Sequence, residues 1–166
     1  MKKKSGFTLV EMKKKSGFTL VEILIVVVIL GILAAIVIPQ FSDASEEAKM
    51  SSLVSDLQTI RSQIQLYKFH HKHGTIISLP GTVDGVSFED SMTKYTKIDG
   101  TPAATQAPGD GVYGPYLMEI PTNPYDNNAD VTAGTGSPPG DDSSGWFYNP
   151  VTGAFNANDT AEHAGL

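Results

Sequence analysis

Between Phe18 and Phe41 a single charged residue, Glu22, interrupts an otherwise apolar run, and Ile23 to Ile38 carries no charge at all. At helical rise that stretch spans roughly 30 Å or more, enough to cross the hydrocarbon core of a bilayer. The competing reading is an ordinary secretory signal peptide cut near Leu33-Ala34-Ala35. The run is long for such a segment, and no clean small-x-small site precedes a polar mature start. A signal peptide also has no use for Glu22, because a carboxylate in lipid is costly and normally has a partner.

What precedes the run sharpens this. The eleven residues MKKKSGFTLVE occur at 1–11 and again at 12–22, and only the second copy continues into the apolar segment. Cleavage after Gly6 would leave Lys13, Lys14 and Lys15 inside the segment meant to enter the membrane. Each charge at a helix centre costs about 2.5–3.5 kcal/mol, so the first copy is read as an artefactual start. The second copy sets a lysine cluster, Ser16-Gly17, Phe18 and Glu22 at the mouth of the apolar run. This arrangement resembles the processing signal of type IV prepilins and type II secretion pseudopilins. The resemblance implies cleavage between Gly17 and Phe18 by a prepilin peptidase, N-methylation of Phe18, and no enzymatic activity of the chain's own.

Charge distribution agrees with an exported protein. Six of the twelve basic residues lie before Phe18, so the expected mature chain holds six Lys/Arg against seventeen Asp/Glu. Basic on one flank and acidic beyond places the N-terminus in the cytoplasm and the remainder in the periplasm. It excludes nucleic acid as a partner, which needs clustered Lys/Arg to displace counterions. With no cysteine there is neither a disulfide framework nor a zinc-thiolate site. Many type IV pilins staple their C-terminal region with a disulfide, so its absence favours the pseudopilin branch.

Glu22 sits four residues after Phe18, on the same face of the first helical turn. Its positive partner is either the freed amine of its own chain or that of a neighbour. Resemblance to pilins implies the neighbour: Phe18 and Glu22 then set the register of assembly. Gly31 and Pro39 soften the segment between them. Glycine lowers helix propensity by about 1 kcal/mol relative to alanine, and proline removes an N–H and crowds the carbonyl four residues back. Filaments of the resembled family loosen helix there, so stretchable backbone is expected once subunits pack.

After Pro39 the pattern turns amphipathic. Met50, Leu53, Leu57, Ile60, Ile64 and Tyr67 form one apolar stripe, with solvent types such as Ser51, Ser52, Asp56, Arg61 and Gln65 between them. The helix is expected to end near Gly74, a suitable C′ residue. His70, His71 and His73 near that end lack a third metal ligand at any usual spacing. Residues 74–166, rich in Gly, Pro, Asn, Asp and Thr, read as short elements on long loops. Ser87 caps a short helix over FEDSMTKYTK, with Glu89 and Asp90 in its first turn. WFYNPVTGAFNAN alternates around a Pro-Val-Thr-Gly turn, a hairpin that would bury Trp146, Tyr148 and Phe155 against the stripe.

The string GPYLMEIPTNPYD resembles the corresponding segment of major pseudopilins, without the Trp-Gly that usually precedes Asn-Pro there. Asp126-x-Asn128-x-Asp130 reproduces the first three positions of an oxygen-ligand loop. The calcium-hand pattern then fails at Val131 and Ser137. Asp141 and Asp142 can fold back to complete a shell, making calcium the candidate ion. No nucleophile elbow, phosphate loop or dinucleotide fingerprint is present.

The expected fold is α+β and pilin-like, a long N-terminal helix on a small antiparallel sheet head with long loops. The expected parts are a leader (1–17), a transmembrane and assembly helix (18–41), an amphipathic half (42–73) and a periplasmic head (74–166). The function implied is that of a structural subunit of a type II secretion pseudopilus in the inner membrane. Its partners would be copies of itself in a helical filament, the peptidase, an inner-membrane assembly platform, minor pseudopilins and membrane lipid. The alternatives are a type IV pilus subunit for adhesion or twitching, or a membrane-tethered binding protein.

Overall fold

The structure is a computed structural model that describes residues 17–74, 76–105 and 111–166. The first copy of the repeat (1–11) and residues 12–16 of the second, with the lysine cluster at 13–15, lie outside the described residues. The chain divides into two units, one ending at Asp43 and the other running from Ala44 to Leu166.

Helix α1 covers Leu20–His70 and is assigned without interruption through Gly31 and Pro39. In the first unit its apolar side chains, Leu20 to Ile38, are all exposed. This helix is long and apolar enough to cross a membrane. A helix apolar on every face has no amphipathic solution in water and needs an apolar medium or other helices around it.

The second unit forms around the part of α1 beyond Asp43. Leu53, Leu57, Ile60, Ile64 and Tyr67 are buried, and Met50 packs at the margin. The stripe read from spacing is therefore the helix side of the core. Arg61, a solvent type by position, departs from that pattern. Its Nε donates to the Phe155 carbonyl (2.9 Å) and its Nη2 to the Leu166 carbonyl (2.8 Å). Partial burial lowers its pKa.

Helix α1 ends at His70, four residues before Gly74. His71 leaves the helical path because its ring is buried: Nδ1 meets the Tyr67 carbonyl at 2.9 Å and Nε2 the Thr96 hydroxyl at 2.9 Å. The ring also stacks on Tyr67 at 3.7 Å between centroids. Gly74, at φ +63°, turns instead between β1 (Lys72–His73) and β2 (Ile76–Ile77).

Helix α2, Phe88–Thr93, is capped as expected, Ser87 Oγ accepting from the Asp90 N–H at 3.0 Å. It is shorter than the sequence pattern suggested. Tyr95–Lys97 becomes β3, central in a sheet with β4 (Pro102–Ala103) and β5 (Val112–Tyr113). Strand pairing and the buried Thr96–His71 bond outweigh local helix propensity here.

A third sheet joins β6 (Val131–Ala133), β7 (Trp146–Tyr148) and β8 (Phe155–Ala157). The hairpin β7–β8 has the predicted register, Tyr148 facing Phe155 across the Pro-Val-Thr-Gly turn. Strand β6 pairs with β7 in parallel, so this sheet is mixed rather than wholly antiparallel. Trp146, Tyr148 and Phe155 join the helix stripe in one core with Phe88, Met92 and Tyr116. The fold is α+β and pilin-like.

Candidate processing and assembly site

Gly17 and Phe18 precede α1 and are exposed, Phe18 by 84%. This peptide bond lies outside secondary structure, and among the described residues nothing beyond its chain neighbours crowds the position a Gly17 side chain would take, as suits access by a peptidase.

The helix start is built by Thr19 and Glu22. Thr19 Oγ1 accepts from the Glu22 N–H at 3.2 Å, while Glu22 Oε2 accepts from the Thr19 N–H at 2.7 Å and from its hydroxyl at 2.8 Å. This reciprocal pair is a capping box, which satisfies two donors that a helix start leaves open. The signature was present in the sequence as Thr19-Leu20-Val21-Glu22. Reading Glu22 only as the partner of an amine passed over it. Both bonds fall on the same carboxylate oxygen. A carboxylate has about four lone-pair sites, so capping does not exhaust it.

The acidic loop is organised by its own backbone. Asp126 Oδ1 accepts from the Asn128 N–H (2.9 Å) and Asn128 Oδ1 from the Asp130 N–H (2.8 Å). Asp141 Oδ1 accepts from the Ser143 N–H (3.2 Å) and from the Asn158 amide (3.3 Å). Asp126 Oδ2 is buried and unpartnered. Burial raises the Asp126 pKa, and the nearby charges of Asp142 and Asp159 raise it further. The loop thus brings Asp126 and Asp142 into electrostatic range, while Asp130 is exposed. Among the described residues no group of three or more acidic or histidine side chains is placed to hold a metal ion. The five predicted ligands do not converge as they stand.

Sequence reasoning also missed a buried pair near the C-terminus. His163 Nδ1 and Asp159 Oδ2 are 2.5 Å apart, and the Asn123 amide donates to Asp159 Oδ1 at 3.0 Å. Spacing of four residues was the available signal for Asp159 and His163, but Asn123 reaches them only through the tertiary fold. The Tyr125 ring, tilted by 41° with its centroid 4.3 Å from that of His163, closes the cluster. It holds the C-terminal turn to the 123–126 loop.

Comparison with known proteins adds the following. The prokaryotic N-terminal methylation motif matches residues 12–38. A type II secretion system core protein G from Pseudomonas aeruginosa is 34% identical over 126 residues, 76% of this chain and 71% of the relative. The proteins of that name from Aeromonas hydrophila and Vibrio cholerae are 30% and 31% identical. They cover 76% and 77% of this chain, and 71% and 70% of the relatives. No solved structure matches. With the methylation motif in place and 34% identity over 76% of its length, this chain belongs to the type II secretion system core protein G family.

Proposed function

We propose that this chain is the structural subunit of a type II secretion pseudopilus. It is inserted in the inner membrane with its N-terminus cytoplasmic, cut between Gly17 and Phe18, methylated at Phe18, and polymerised through α1. The observation that carries the reading is the pairing of a processing signal with a helix whose apolar surface is fully exposed. Such a surface leaves the lipid only if equivalent helices replace it. The work is mechanical, with binding energy in apolar helix packing and no bond chemistry.

In this reading Glu22 has two tasks. Oε2 caps its own helix, and Oε1 is left for the Phe18 amine of a neighbouring subunit. That contact sets axial register, since an uncompensated carboxylate among packed apolar helices is costly. Gly31 and Pro39 bound the segment that yields when helices pack. The assembly platform, minor pseudopilins and lipid complete the set of partners. A calcium ion at Asp126 and Asp142, drawing on Asn128, Asp130 and Asp141 after the loop closes, is a subsidiary proposal.

Two substitutions separate the tasks of Glu22. Glu22→Gln keeps the capping box, because glutamine serves at that position, but removes the charge. Glu22→Ala removes both. Both variants are expected to insert and be cleaved yet fail to form fibres, whereas a tethered binding protein would tolerate either. Fibres from Glu22→Gln would show that capping alone matters. Mass analysis of the extracted protein should find an N-terminal methyl-phenylalanine at position 18. Any other start removes the reading.

A further inference from the structure

The head carries two surfaces that complement each other and cannot meet within one chain. The first is an open cleft of about 640 Å³ between the outward face of α1 and the 119–129 loop. Ser52 and Asp56 line it from the helix; Glu119, Ile120 and Pro124 line it from the loop. Its walls mix two carboxylates with apolar side chains. Partial burial raises the Asp56 pKa, as expected for a carboxylate lacking a cation.

The second surface lies at the C-terminal end of α1. Phe69 is 76% exposed there, and Lys72, three residues on in β1, is also exposed. Among the described residues Lys72 has no carboxylate within salt-bridge distance, whereas Lys94 is held by Asp90 at 2.6 Å. An exposed phenyl ring three residues from an unpaired ammonium is an amphipathic knob. From Asp56 to Phe69 the helix rises roughly 20 Å. The knob therefore lies out of reach of its own cleft.

We propose that the cleft receives the Phe69–Lys72 knob of a second copy of this chain. The ring would pack on Ile120 and Pro124, and the ammonium would sit between Asp56 and Glu119. Because the two surfaces differ, the contact is heterologous and leaves a free cleft and a free knob at the ends, so it extends into the filament of the proposed function rather than closing a two-fold dimer. The inference rests on the filament reading and adds a head-to-head contact outside the membrane helix.

The chain has no cysteine, which makes a cross-linking test clean. The full-length chain carrying both Ser52→Cys and Leu66→Cys, which keeps Lys72, Asp56 and Glu119 in place, is assembled into fibres and treated with a short bismaleimide. A ladder of dimers, trimers and higher species is expected from the double variant. Each single variant should give monomer alone. Dimers from a single variant would mean that like ends meet, and would overturn the proposal. Fibres of the double variant that give no ladder would also overturn it, leaving the filament reading intact. A wild-type chain that forms no fibre would sink the filament reading itself and this contact with it. In parallel, Lys72→Glu should lower fibre yield roughly tenfold. Adding Glu119→Lys to the same chain should restore it. Yield that stays low in the double reversal, with insertion and processing normal, counts against the pairing.

Discussion

Burial decides what the ionisable side chains of the head can do. The His71 imidazole is held below its ordinary pKa, chiefly by burial, and is neutral while it bridges Tyr67 and Thr96. Its role is to hold the helix end against β3, which disposes of a metal reading for the His70–His73 cluster. Asp126 shows the opposite sign: burial and neighbouring carboxylates raise its pKa. The folded state then binds more protons than the unfolded state between the ordinary carboxylate pKa and the raised one. Stability contributed at that site rises as pH falls through this window and is forfeited at neutral pH. Asp126→Asn is therefore expected to stabilise the calcium-free chain at pH 7. The gain should vanish below the window, as read by thermal melting of the detergent-solubilised protein. Millimolar calcium should raise the melting temperature of the wild-type chain and leave the variant unmoved. No shift in the wild type removes the calcium proposal.

At the scale of elements, α1 contains two regimes of stability. Its head portion is held by five buried side chains whose removal from water contributes about 1.5–3 kcal/mol each. The stretch from Gly31 to Pro39 has exposed apolar side chains, a glycine, and a proline that cannot donate to Ala35. The isolated chain is helical through it. In the assembled fibre, faster amide exchange is expected between Gly31 and Pro39 than over Leu53–Tyr67. Uniform protection across α1 would rule out a soft segment. The sheets are held differently, by short pairings fixed at their ends by side chains. Asn149 Oδ1, for example, accepts from the Val151 and Thr152 N–H groups to shape the β7–β8 turn.

At the scale of the whole molecule, charge poses the question of how copies associate. The expected mature chain is strongly acidic, so heads brought together repel through their net charge. If that repulsion governed, added salt would screen it and stabilise fibres. If the Lys72 contact with Asp56 and Glu119 governs, salt should weaken cross-linking between heads. Raising ionic strength from about 0.05 M to about 0.5 M shortens the screening length several-fold. A falling ladder yield is expected over that range in the Ser52→Cys, Leu66→Cys chain, which keeps the three charges in place. A rising yield would assign the effect to net repulsion.

The sequence by itself determined whatever depends on near neighbours along the chain. The apolar span from Phe18 to Phe41, the methylation motif over residues 12–38, the Leu53–Tyr67 stripe, the Ser87 cap and the β7–β8 turn are all of this kind. Charge, periodicity and turn chemistry act over a few residues, so spacing alone reveals them. The Thr19–Glu22 box was equally local and was legible to anyone who asked where the helix start finds its acceptors. Only the tertiary structure decided the rest. His71 ends α1 because Thr96 and Tyr67 claim its ring, β3 replaces the tail of α2 because two strands pair with it, and β6 runs parallel to β7. Asp159, His163, Asn123 and Tyr125 meet across 41 positions of sequence. Such contacts are selected by burial and mutual satisfaction of polar groups, and no short-range pattern encodes which distant residue will supply the partner.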